Sequence, residues 1–344
     1  CRFSALYFIP FCGGLAAAGS LRVGDALLGA AFWCVLTVAI EITNRLTDRV
    51  EDEINRPERT DLCAQVGWER LARLETLAWG TVAASAVVWL VLAPSVLLAG
   101  LIALGVAAGV GYSRGPRLSR QRVLVLVMLS GAFVGPFALG WATGSGQAGA
   151  DWRQLGQFVP LFWVLTLFIA SLAGIKDITD RDGDEAIGYR SAFVAFAERH
   201  GTLALAAVAA VPYAALAAFV AAGALPTRML ALVGLLPVSI AVGLAVRGAG
   251  TSVRDRLTVR EALYAHWLAF TSLALLTCYP SASLLAAIVA AWLYWLLASR
   301  LAHWGDPLRL RDLGGVARLA RLGWASPIAP RAAPATNGRA WGSS

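Results

Sequence analysis

Two acidic stretches carry the residues that could do chemistry. Asn44, Asp48 and Asp52 recur every four residues, so a helix through them stacks three oxygen ligands in one column on one face. A second run, Lys176-Asp177-Ile178-Thr179-Asp180-Arg181-Asp182-Gly183-Asp184, again sets Asp177, Asp180 and Asp184 at helix-compatible spacings. Each run follows directly on an apolar stretch. Carboxylate and amide oxygens suit magnesium, which usually shares its octahedron among carboxylates, waters and substrate phosphates. One such cluster alone reads equally well as a solvated loop whose acids offset neighbouring arginines. Two clusters at matching depths predict a shared pocket for divalent cations and an anionic substrate, because ionisable residues at membrane edges default to function.

The elements that must position these residues are membrane spans. The chain has 344 residues, 58% apolar and only 15% charged, against roughly 25% charged in soluble domains. Apolar runs that approach the ~20 residues needed to cross a bilayer occur at 3–19, 24–43, 76–93, 95–112, 122–143, 157–175, 202–222, 228–247, 261–279 and 282–299. The expected fold is therefore all-α and polytopic, with nine or ten transmembrane helices in two repeated bundles around a central cavity. The repeat is read from spacing, since each half runs from an apolar pair into an acidic motif.

The net charge of +8 is almost all arginine, Lys176 being the sole lysine. A basic balance can signal nucleic acid, but these arginines lie beside apolar spans, so a lipid bilayer and no nucleic acid is the expected partner. They gather in the connections after the second, fourth, sixth and eighth spans, whereas the opposite connections hold only Arg22, Arg153 and Arg228. Both acidic motifs are thus expected on the cytoplasmic face of a plasma membrane, bacterial by this reading. Residues 301–344 form a basic tail, Pro-, Ala-, Gly- and Ser-rich beyond Ser326 and expected to be partly disordered; an even count of ten spans puts it on the same face. The five cysteines form no CxxC pair, so neither zinc nor a disulfide framework is expected, and no cleavable signal pattern is seen at the start.

On these residues the chain resembles the UbiA superfamily of intramembrane prenyltransferases. The first motif of that family, Asn-Asp-x-x-Asp-x-x-x-Asp followed by Asn-Arg-Pro-x-Arg-Pro, is similar to Asn44, Asp48, Asp52 and Asn55-Arg56-Pro57-Glu58-Arg59-Thr60. The second, Lys-Asp-x-x-Asp-x-x-Gly-Asp with a following Gly, matches Lys176, Asp177, Asp180, Gly183, Asp184 and Gly188. A basic loop from Tyr112 to Arg120 is similar to a third feature. Arg45 and Thr60 depart from the pattern, standing where the family has Asp and Pro.

The resemblance implies a domain over residues 1–300 that transfers a prenyl group from an isoprenyl diphosphate to a hydrophobic or aromatic acceptor. It implies Mg2+ ions held by Asn44, Asp48, Asp52, Asp177, Asp180 and Asp184, with Arg56, Arg117, Arg120 and Lys176 on the diphosphate. For each arginine singly, ordinary placement by topology is an equal reading. Glu41 and Tyr112 are the catalytic candidates, Glu41 either orienting an acceptor or simply pairing with Arg45 at i, i+4. Phe133, Trp141, Phe162, Trp163, Phe168, Trp267 and Phe270 would line a prenyl tunnel or serve as packing, and His266 is expected to be packed. A terpene cyclase of the same type, without an acceptor, is the alternative reading, and an ion-coupled transporter a more distant one. If the arginines set the topology, Ser119→Cys and Ser326→Cys, each in a background cleared of native cysteines, react with impermeant reagents only after the membrane is opened. Labelling of Ser326→Cys in intact cells would instead put the tail on the other face.

Overall fold

The computed structural model describes residues 2–114, 121, 124–148, 155–186, 192–301 and 314–325. Among them it is all-helical and contains no strand. Helices α1 (Ser4–Ala17) and α2 (Val23–Thr47) lead into two short charged helices, α3 (Arg49–Asn55) and α4 (Pro57–Val66), then α5 (Trp68–Leu92), α6 (Val96–Ser113) and α7 (Leu124–Ala148). Helix α8 (Leu155–Leu172) continues into a 3-10 segment, Ala173–Thr179, and the short α9 (Arg181–Ala186) and α10 (Ala192–Arg199). Next come α11 (Thr202–Ala221), a second 3-10 segment (Thr227–Leu235), α12 (Leu236–Gly248), α13 (Val253–Cys278), α14 (Ala282–Leu301) and α15 (Gly315–Ala325). Local signals explain several boundaries. Pro57 opens α4 at a position where its missing N–H costs nothing. Gly67, at φ 92°, joins α4 to α5 in a conformation that L side chains resist.

Every expected apolar run is helical, and among the described residues eight helical segments are long and apolar enough to cross a membrane. The two expected spans outside that set differ for separate reasons. Helix α1 is apolar but only 14 residues long. Helix α13 has 26 residues, about 39 Å at 1.5 Å per residue, but starts eight residues before the expected boundary and carries Arg254, Asp255, Arg256, Arg260 and Glu261 in its first half. It tolerates them because it is enclosed by protein: Arg256, Arg260 and Glu261 are all buried. Arg256 meets Asp182 at 3.0 Å and Glu261 takes a bidentate pair from Arg2 at 2.5 and 2.6 Å. Charges inside an apolar bundle persist only when matched this way.

Helices that meet in an apolar medium approach through small residues, and α1 and α7 do so reciprocally. A Cβ on Gly14 would lie 2.0 Å from the Phe137 carbonyl oxygen, and one on Gly140 would lie 1.9 Å from that of Phe11. Helices α12 and α15 repeat the device: a Cβ on Gly248 would strike the Leu319 carbonyl at 1.9 Å, and one on Gly323 that of Leu244 at 2.0 Å. So part of the basic tail is an ordered helix, further tied to α13 by Arg318 and Asp255 at 2.7 Å; residues 302–313 and 326–344 lie outside the described set. The contact at Gly140 is backbone against backbone, so no rotamer change relieves a larger side chain. Gly140→Leu is expected to destabilise the protein in detergent by at least the 1–3 kcal/mol or so typical of overpacking. Gly146→Leu, two turns on and facing open space, should leave the unfolding temperature nearly unchanged.

Candidate active site

The first motif bends where a straight column was expected. Helix α2 ends at Thr47 and α3 begins at Arg49, with Asp48 between them at φ −104°, ψ 25°. The Thr47 hydroxyl bonds back to the Thr43 carbonyl at 3.0 Å and also to Asp48 at 3.3 Å, and such back-bonding bends helices. The four-residue spacing survives, since Asp48 N–H still reaches Asn44 O at 2.9 Å and Asp52 N–H reaches Asp48 O at 2.8 Å. The second motif is likewise not one regular helix: Lys176 and Asp177 sit in the 3-10 segment and Asp184 on α9, with Asp180 as the joint. Thus both motifs present their acids from broken helices.

Asn55 joins the two. Its side-chain N–H donates to the Asp180 carbonyl at 3.0 Å, and its Oδ1 accepts from Gly183 N–H at 2.7 Å. A Cβ at Gly183 would lie 2.4 Å from Asn55 Nδ2 and 2.9 Å from the Glu51 carbonyl. Glycine at 183 is therefore what lets α9 seat against α3.

Both motifs line one cavity of about 1050 Å³, walled also by α2, α6, α7 and the first half of α13. Asn44, Asp48, Asp52, Asp177, Asp180 and Asp184 all reach it, as do Glu41, Tyr112, Arg56 and Lys176. Arg117 and Arg120 lie outside the described residues. Its remaining wall is apolar and aromatic, drawn from α1, α2, α6, α7 and α13. Trp33, Tyr7 and Phe133 form a stack there, with ring centroids 5.5 and 5.3 Å apart. Of the seven aromatic candidates, Phe133 alone lines this cavity; Phe168 and Phe270 instead stack on each other at 3.7 Å. His266 is packed as expected, its Nε2 2.7 Å from the Ser239 hydroxyl.

Protein groups already engage four of the six expected metal ligands. Ser113 donates to Asn44, Arg45 pairs with Asp52, Lys176 with Asp177, and Arg56 with Asp180 at 2.7 Å. Arg45 also approaches Glu41 at 3.4 Å, so the residue that departs from the family pattern is occupied by two acids of its own segment. Among the described residues Asp48 accepts a side-chain hydrogen bond only from Thr47, and Asp184 accepts none. The titration of these acids follows that division only in part, since burial raises Asp52 in spite of Arg45. Burial, then Glu51, pushes Asp48 up to about 6; burial, then Asp177 and Asp180, pushes Asp184 up to about 8. Burial would raise Asp180 as well, but Arg56 and Arg260 hold it down at about 2.

No group of three or more His, Cys, Asp or Glu side chains is gathered tightly enough to hold an ion among the described residues. The donors nevertheless fit a hard divalent cation in kind and in charge. All are oxygens, two carboxylates form no ion pair among the described residues, and magnesium completes its shell with waters and phosphate oxygens. Residues that were not among the site candidates also reach the cavity: Arg59 of the first motif, Arg260, Tyr7, Tyr264 and Thr179. The adjoining Arg260 and Glu261, at the mouth of an otherwise apolar run, were the available signal for the α13 contribution.

A helical bundle of apolar segments around a cavity with an acidic, arginine-lined end defines an integral membrane protein with an enclosed polar site. The UbiA prenyltransferase family model matches residues 7–251, and the chain belongs to that family. Its members are prenyltransferases, so this is an intramembrane enzyme of prenyl-transfer or related activity. The matched residues include both acidic motifs and end before α13. No curated protein and no solved structure matches the chain.

The crowding at Asp184 has a measurable sign. Its pKa in the folded protein lies above the ordinary 3.8, so its ionisation costs folding stability, and the cost grows as pH rises from near 4 towards about 8. In EDTA, Asp184→Asn should unfold at a higher temperature than wild type, by a margin that widens between pH 5 and 8.5 or so. A margin constant across that range would mean that the carboxylate is not electrostatically stressed.

Proposed function

We propose that the protein catalyses Mg2+-dependent transfer of a prenyl group from an isoprenyl diphosphate to an aromatic or lipid acceptor within the membrane. The observation that carries this reading is the Asn55 bridge, which joins two acidic motifs at the polar end of a cavity whose other walls are apolar and aromatic. That shape suits an amphiphile with an anionic head and an isoprenoid body. We place the polar end on the cytoplasmic side, where the arginines gather.

Asp48 and Asp184, with Asn44, Asp52, Asp177 and Asp180 around them, are the residues that would hold magnesium, and the bound ion would supply charge to stabilise the leaving diphosphate. Arg56, Arg59 and Lys176 add fixed positive charge on the same wall, preorganised where negative charge develops. The allylic carbon–oxygen bond breaks with both electrons passing to the diphosphate oxygen. A nucleophilic atom of the acceptor then bonds to the allylic carbon and loses its proton. Glu41, at the cavity wall one turn before Asn44, is placed to receive that proton or orient the acceptor. Tyr7 and Phe133 border the space for the prenyl chain, where they exclude water from a developing cation.

The Trp33–Tyr7–Phe133 stack equally favours a second reading, in which the allylic cation is captured by a double bond of its own chain to give a cyclic product. Incubation with isoprenyl diphosphates of several lengths, with and without acceptor, separates the two. Diphosphate release that depends on an acceptor, with Glu41→Gln slowing transfer more than ionisation, supports transfer; full-rate release without one, yielding a cyclic hydrocarbon or alcohol, supports cyclisation. In either case Asp48→Asn, Asp52→Asn, Asp180→Asn and Asp184→Asn should each lower turnover by roughly 10²-fold or more, the scale set by losing one electrostatic stabiliser. Near-normal magnesium-dependent turnover in Asp48→Asn and Asp184→Asn would refute the metal assignment.

A further inference from the structure

We propose that Arg260, on α13, is a ligand for the anionic oxygens of the donor diphosphate, contributed from outside both acidic motifs and outside the residues matched by the family. The inference rests on the diphosphate-dependent reading above and extends it to a part of the chain that the motifs do not reach.

Three observations carry it. Arg260 is 8% exposed and lines the cavity beside Thr179, Asp180 and Arg56. Its Nε is buried with no hydrogen-bond partner, although an unsatisfied donor on a charged group is costly to bury. And its charge is poorly matched. The nearest carboxylate oxygen, on Glu261, is 3.5 Å away and belongs to a group already held bidentately by Arg2 at 2.5 and 2.6 Å. Its best contact is with a neutral hydroxyl, Thr179 Oγ1, at 3.1 Å.

That hydroxyl is shared. Arg56 donates to the same Thr179 oxygen at 2.8 Å, so two guanidiniums from α13 and the α3–α4 joint converge on one small acceptor. Arg56 pairs with Asp180 at 2.7 Å; among the described residues Arg260 has no ion pair closer than Glu261 at 3.5 Å. Asp180 thus lies nearest Arg56 and is the one carboxylate among them set against both buried guanidiniums, which repel at low dielectric, and a further anion against both would relieve that repulsion. A guanidinium offers five donors in a planar fork that suits phosphate oxygens, and Arg260 has most of that capacity unspent. Its position on a helix buried at the centre of the bundle fixes that charge with little freedom, as preorganised stabilisation of a leaving group requires.

The test is binding of inorganic diphosphate with magnesium to the purified full-length protein, by calorimetry, alongside benzoate as a probe for an acceptor carboxylate. Wild type should bind diphosphate, and Arg260→Gln should weaken it about tenfold, or about 1.4 kcal/mol, with benzoate binding unchanged. Arg260→Lys keeps the charge but loses the fork, and should weaken binding at least threefold or so; it carries the test if Arg260→Gln lowers the unfolding temperature sharply. Diphosphate affinity within about twofold of wild type in the folded variants overturns the role of Arg260 and leaves the prenyltransferase reading standing. A loss confined to benzoate overturns it too, by making Arg260 an acceptor anchor. No diphosphate binding by wild type removes both.

Discussion

Everything at the polar end of this protein depends on how a single amide, Asn55, holds two backbones together. It spends its donor on the Asp180 carbonyl and its acceptor on the Gly183 N–H, so both halves of the side chain are engaged and neither helix can slide without breaking a half-buried hydrogen bond. The contact works because position 183 has no side chain. With a Cβ there, α9 would stand away from α3, and two acidic motifs that are far apart in sequence would no longer share one cavity. The neutral residues thus set the distance that the charged ones exploit.

Charge is the second constraint, and it sorts the acids into two groups. In a low-dielectric bundle an ionised side chain must be paired or pay a large desolvation cost. Asp52, Asp177 and Asp180 are paired by Arg45, Lys176 and Arg56, and Glu261 by Arg2. Asp48 and Asp184 form no ion pair among the described residues, and burial, with neighbouring acids, raises their pKa values to about 6 and about 8. The paired acids stiffen the frame, while under the proposed function the other two would be the ones open to a cation that arrives with substrate. On that reading the stability lost at Asp48 and Asp184 is the kind of trade common at active sites.

Most of this frame was legible in the sequence. The apolar runs gave the helices, the Asn44/Asp48/Asp52 and Asp177/Asp180/Asp184 spacings gave the acids that meet, and Glu41–Arg45 spacing gave a pair that forms. What sequence could not give depended on tertiary surroundings. Spacing alone could not show that Thr47 bends the first motif at Asp48, or that the second runs through a 3-10 segment. A hydropathy window set the start of α13 at residue 261, because Arg254 to Arg260 read as a solvated connection; only the fold shows Asp182 and Glu261 placed to receive some of those charges. Which of the aromatic candidates lines the cavity and which is packing stayed open for the same reason, since which face of an apolar helix meets a cavity is decided by its neighbours, and of the seven Phe133 reaches it. Tyr7 and Trp33 reach the cavity, whereas Trp267 packs edge-on to Tyr264 behind it.

Arg45 shows how a departure from a family pattern can be absorbed locally. Where the family has an acid this chain has a base, which changes the first motif by two charge units. The guanidinium is not left to the cavity, however. It bridges Glu41 and Asp52, acids at i−4 and i+7, and so spans the bend at Asp48 from one helix to the next. A side chain that holds both sides of a kink fixes its angle, and the angle decides where Asp48 points. The substitution thereby removes a potential ligand and supplies a strut, leaving Asp48 as the unpaired carboxylate of its motif, opposite Asp184 of the other. One open acid from each motif, joined through Asn55, is the smallest set by which the proposed cation binding would depend on both motifs at once.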